Sequence, residues 1–63
     1  MSKGQYIVLL VNYRYHKTGH VGKIDEVLSN DVASVDLNWR TGDAKHIIYI
    51  RKENEGELWK FAN

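Results

Sequence analysis

The amino-acid sequence predicts an all-β fold, a five-stranded antiparallel barrel with a long first loop and a short helical turn before the last strand. Three observations predict it. No helical periodicity of useful length is present, and the apolar residues gather in short runs rich in β-branched and aromatic side chains. Those runs are joined by short links, and a parallel return would need a crossover of a dozen residues or more, so neighbouring strands run antiparallel. Five short strands in 63 residues cannot fill two sheets, whereas one strongly bent barrel protects its edges.

Each element follows from local chemistry. "QYIVLLVNY", Gln5 to Tyr13, has the length and composition of a first strand. "HVGKIDEVL", His20 to Leu28, is the second, and its interior Gly22 predicts a bulge or a close backbone approach. "SND", Ser29 to Asp31, is turn chemistry. In "VASVDLNW", Val32 to Trp39, strict alternation places Ala33, Val35, Leu37 and Trp39 on one face and Ser34, Asp36 and Asn38 on the other. "RTGDAK", Arg40 to Lys45, predicts a tight turn around Gly42 and Asp43. "HIIYIR", His46 to Arg51, is the fourth strand and "LWKF", Leu58 to Phe61, a short fifth. The link between them, Lys52 to Glu57, has room for one helical turn.

Bulk composition bounds the function. A chain of 63 residues is a single domain, and at this size folding buries only about 60% of the unfolded surface. Hydrophobic residues make up 43% and charged residues 27%, a globular balance. The absence of cysteine excludes disulfides and thiolate metal sites and fits a reducing compartment. The longest apolar run, Tyr6 to Val11, has six residues, against about 20 for a membrane span. No leader-like segment is evident. A soluble, cytoplasmic protein without membrane association is expected, a monomer or weak homodimer. Net charge is only +1 and the pI about 8.0, below the roughly 9 of a dedicated nucleic-acid domain. Charge is nevertheless blocky: residues 1 to 24 carry Lys3, Arg14, Lys17 and Lys23 and no acid.

The order of loops resembles an SH3-like barrel. Within it, "KTGHVGKIDEVLSNDVASVDL" resembles a KOW-type motif, through Gly19, Val21 and Ile24 and then Ala33, Val35 and Leu37. A similar spacing occurs in SH3-like accessory subunits of photosynthetic and redox complexes. The resemblance runs from about Gly4 to Leu37. The basic "YRYHK" loop and the lack of an "ALYDY"-type signature depart from SH3 domains that read proline-rich peptides.

Candidate site residues are few. Tyr13, Arg14, Tyr15, His16 and Lys17 interleave aromatics and bases. On a strand leaving the barrel, Tyr13 and Tyr15 share one face and Arg14 and His16 the other. His16 and His20 are four apart, a spacing that suits paired metal ligands only on a helix. Trp39 ends the strand with the best apolar face and is expected in the core. Trp59 is a candidate exposed anchor. Glu53, Glu55 and Glu57 read as a solvated loop, and Asp25 and Glu26 diverge along a strand. No nucleophile–base–orienter set, phosphate loop or metal set is legible, and neither catalysis nor a cofactor is expected.

Two functional expectations follow. The first is a non-enzymatic module that regulates or inhibits a larger protein or complex by occupying a surface site, through Tyr13, Arg14, Tyr15, Lys17 and Trp59. Small stand-alone regulators of this kind are common among phage and mobile-element products, and such an origin accompanies this expectation. The second is what the KOW-type resemblance implies, RNA or DNA binding in transcription or translation. There Lys3, Arg14, Lys17, Lys23, Arg40, Lys45, Arg51 and Lys52 would contact phosphates while Tyr13 or Tyr15 stacks. The accessory-subunit resemblance implies a third role, clamping a redox complex.

Overall fold

The computed structural model describes residues 1–62. It is all-β: strands β1 (Tyr6–Leu9), β2 (Val21–Val27), β3 (Val32–Asp36), β4 (Ile47–Arg51) and β5 (Trp59–Phe61), with one 3₁₀ turn at Lys52–Asn54. The strands form one antiparallel sheet in the order β4-β3-β2-β1-β5. The sheet curls into a half-barrel. Its two edge strands come within one side chain of each other, because the Trp59 indole on β5 donates to the Arg51 carbonyl oxygen at the end of β4, at 2.9 Å.

Alternation explains the core. Ile7 and Leu9 of β1, Ile24 of β2, Ala33 and Val35 of β3, Ile48 and Ile50 of β4, and Trp59 of β5 point into the concave side, with Leu37 just beyond β3. Phe61 packs edge-on against Trp59, with ring centroids 5.0 Å apart. Gly22 marks the close approach that its place in the strand predicts. A Cβ there would lie 2.5 Å from Val35 Cγ1 and 3.0 Å from Leu37 Cδ2. The bulge lies further along, where the β2–β3 register shifts between Ile24 and Glu26. The Ser34 hydroxyl repairs it by accepting from the Glu26 N–H at 3.1 Å.

Several boundaries differ from the sequence-based expectation, each for a physical reason. β1 stops at Leu9 instead of reaching Tyr13, because Leu10 N–H turns to the Leu58 carbonyl and the chain beyond enters a hairpin of its own. β3 stops at Asp36, whose carboxylate accepts from the backbone N–H groups of Asn38 (2.8 Å) and His46 (3.2 Å) and so bends the chain away. The link to β4 therefore occupies residues 37–46 and is not a tight turn. Trp39 leaves the core face on which alternation would place it and packs against Tyr6 on the convex side. Among the described residues no helix is long and apolar enough to cross a membrane.

Candidate binding surfaces

The first loop carries a small hairpin. Tyr13 and His16 exchange backbone hydrogen bonds of 2.7 and 2.9 Å, leaving Arg14 and Tyr15 as the two central residues of a tight turn. Arg14 has φ 53°, a left-handed conformation that two-residue hairpin turns normally assign to glycine or asparagine. The base of the hairpin is fastened by Asn12, whose side-chain oxygen accepts from the backbone N–H and hydroxyl of Thr18 at 2.9 and 3.2 Å. Tyr15 is 93% exposed at the tip. The turn overturns the expected alternation in which Tyr13 and Tyr15 share a face, since Tyr13 folds back over the body with its ring 5.9 Å from that of His46.

Three histidines hold this hairpin to the sheet. His16 Nε2 and His46 Nδ1 are 2.9 Å apart, so one nitrogen carries the proton and the other accepts it. The His16 ring also stacks on His20, with centroids 4.4 Å apart. His20 Nε2 lies 2.7 Å from the Leu37 carbonyl oxygen and must donate to it. Burial, followed by the neighbouring His20 and His46, lowers the His16 pKa from its ordinary value. The ring nitrogens are thus engaged with one another and with backbone. Among the described residues no group of three metal-binding side chains has the arrangement to hold an ion.

Beside the hairpin is an apolar hollow of about 140 Å³, bordered by Val11, Tyr13, Tyr49, Arg51 and Leu58, with Trp59 on its buried side. Tyr49 is 66% exposed and Leu58 43%. Trp59 itself is 1% exposed, because β5 turns it and Phe61 inward. It is a core residue that cannot meet a partner in the folded state, which corrects its expected place in a contact face. Arg14, Tyr15 and Lys17 are exposed, and Tyr13 is partly so.

The eight cations expected to meet phosphates do not form one patch. Lys45 is bound to Asp25 at 2.8 Å, and that hydrogen-bonded carboxylate raises the lysine pKa. Lys52 pairs with Glu55 at 2.8 Å and lies over Phe61. Arg14 leans on Tyr13, 5.9 Å from the ring centroid. Lys17 and Arg51 are exposed elsewhere. Lys23 and Arg40, in contrast, converge on Trp39. The Lys23 amine is 5.9 Å from the centroids of both Tyr6 and Trp39, and the Arg40 guanidinium is 4.9 Å from that of Trp39. Lys3 borders the same region.

Sequence reasoning missed Tyr6 and Tyr49, which alternate with the buried pairs Ile7 and Leu9, and Ile48 and Ile50. That alternation was itself the signal that they face outward. Comparison of the chain with family models, curated proteins and solved structures finds no match.

Proposed function

We propose that this protein is a small non-enzymatic binding module that regulates or inhibits a larger protein by inserting its first-loop hairpin into a site on that partner. The observation that carries the reading is Tyr15, 93% exposed beside Arg14 at φ 53°. A tyrosine projecting into solvent from a hairpin braced at its base and side brings contact area and a hydroxyl with few side-chain rotors to immobilise. Arg14 and Lys17 flank it, so the fitting site is an apolar pocket with an acidic rim. The hollow lined by Val11, Tyr49 and Leu58 extends the contact. The strand order, with β1 between β2 and β5 and a 3₁₀ turn before β5, supports an SH3-like module as its scaffold.

The test is capture of a partner from nuclease-treated lysate by tagged protein, with variants run alongside. Tyr15→Ala should abolish or strongly weaken capture of the bands bound by the parent while the melting temperature stays within a few degrees. Arg14→Gly separates binding from folding. Glycine relieves a left-handed strain of about 1 kcal/mol, so the melting temperature should hold or rise while capture falls. Capture that survives both substitutions would place the contact face elsewhere.

A further inference from the structure

We propose a second binding site, on the convex face: Tyr6 and Trp39, with Lys3, Lys23 and Arg40, form a platform for single-stranded nucleic acid. It uses none of the residues of the Tyr15 hairpin.

The platform is built by the way β3 ends. With β3 finished at Asp36, the Val21 carbonyl on β2 has no strand partner, and the Trp39 indole N–H donates to it at 2.9 Å. That bond fixes the indole on the outside of the sheet. Tyr6 faces outward from β1 and meets Trp39 with centroids 4.9 Å apart and planes tilted by 49°. The paired rings form an apolar surface where an outward sheet face is ordinarily polar, and Tyr6 is 39% exposed.

Three cations without ion-pair partners among the described residues stand around these rings. Among the described residues, Lys3, Lys23 and Arg40 have no carboxylate within 4.0 Å, since the two ion pairs engage Lys45 and Lys52. The nearby carboxylates are occupied: Asp25 by Lys45, and Asp36 by the N–H groups of Asn38 and His46. Two open hollows border Trp39, one of about 320 Å³ with Lys3, Lys23, Asp25 and Asp36 on its wall, the other of about 370 Å³ with Tyr6 and Arg40.

A ligand for this surface needs flat rings to lie on Tyr6 and Trp39 and anionic groups beside each ring. Successive nucleotides of a single strand present that alternation, with stacking that tolerates any base. A duplex does not, because its bases are already stacked on one another. An acidic peptide offers the anions without the rings.

The experiment is fluorescence anisotropy of labelled 12-nucleotide oligo(dT) and oligo(U), with tryptophan quenching by the unlabelled strands. Trp59 is buried, so quenching reports Trp39. With three phosphates neutralised, affinity should fall roughly 20-fold between about 50 and 200 mM salt. The double variant Lys23→Gln/Arg40→Gln should weaken binding and reduce that fall to roughly threefold. Tyr6→Ala should weaken binding about fivefold or more. Tyr15→Ala should change nothing here, so failure of the hairpin reading and failure of this one are distinguishable. Melting curves of each variant confirm that it folds. Binding without tryptophan quenching, equal affinity for the duplex of the same length, displacement by polyglutamate at equal charge, or indifference to the Lys23/Arg40 change would each overturn the proposal.

Discussion

The two tryptophans do the same hydrogen-bonding work on opposite sides of one sheet. Each indole donates to a strand carbonyl at 2.9 Å, Trp39 to Val21 and Trp59 to Arg51. Their surroundings differ completely. Trp59 is 1% exposed among aliphatic side chains and Phe61, where it joins the two edges of the half-barrel. Trp39 is half-buried on the convex face among Tyr6, Lys23 and Arg40. The comparison teaches that a tryptophan's hydrogen bond says little about its role, whereas what its ring touches says much. The concave one is tied to stability, and the convex one is the ring on which the proposed nucleic-acid platform rests.

Truncating each ring should give the largest contrast. Trp59→Ala removes a filled core position and leaves the Arg51 carbonyl without its donor, for a loss of about 3–5 kcal/mol. A domain of this size has a total stability of roughly 3–9 kcal/mol, so this variant is expected to be largely unfolded at 25 °C. Trp39→Ala should cost about 1–2 kcal/mol, since the ring is only partly buried and the Val21 residue it caps is not in the core. Urea unfolding checks both. Equal losses at the two positions would break the distinction between a structural and a surface tryptophan.

A smaller effect sharpens the concave side. Gly22→Ala introduces a Cβ 2.5 Å from Val35 Cγ1 and 3.0 Å from Leu37 Cδ2. Both neighbours are fully buried and have no free direction in which to move. Overpacking of this kind costs about 1–3 kcal/mol. The measurement is again the urea midpoint, and a variant as stable as the parent would mean that β2 and β3 can part at no cost. Val35→Ala should rescue part of the loss by making room, which is the signature of a steric cause.

How far the sequence disclosed these features depends on the range of the interaction behind them. Period-two alternation placed Ala33, Val35 and Leu37 on one face of the predicted third strand, and all three are buried, because strand geometry alone sets that pattern. Gly22 announced its close contact in the same way. The Tyr13–His16 hairpin was hidden, because no glycine or asparagine marks its left-handed position, which Arg14 fills instead. Trp39 was misplaced because alternation was extended past Asp36, and only the Asp36 carboxylate's contacts with the Asn38 and His46 N–H groups show where the strand ends. The histidine cluster unites residues from the first loop and from the far end of the β3–β4 link, a juxtaposition that spacing along the chain does not encode.

That cluster supplies the smallest expected effect, and it bears on the hairpin rather than on either tryptophan. The His16–His46 contact needs one proton between two nitrogens, so protonating both rings sets N–H against N–H and breaks it. His16 faces the rings of His20 and His46, with Tyr13 and Arg14 on its own hairpin and the Asp36 carboxylate behind His46. Its folded pKa lies below the unfolded value near 6.5, first through burial and then through the two histidines. The unfolded chain therefore takes up the proton more readily. The associated stability is complete above about pH 6.5 and is lost as the pH falls through the lower folded value. Acidification from neutral pH to pH 5 should lower the melting temperature by a few degrees and loosen the hairpin, weakening partner capture by Tyr15. In His16→Asn, which keeps a side-chain amide to meet His46 but cannot titrate, that part of the decline should disappear. Parallel pH profiles for parent and variant would show that the histidines lie together without coupling the hairpin to the sheet.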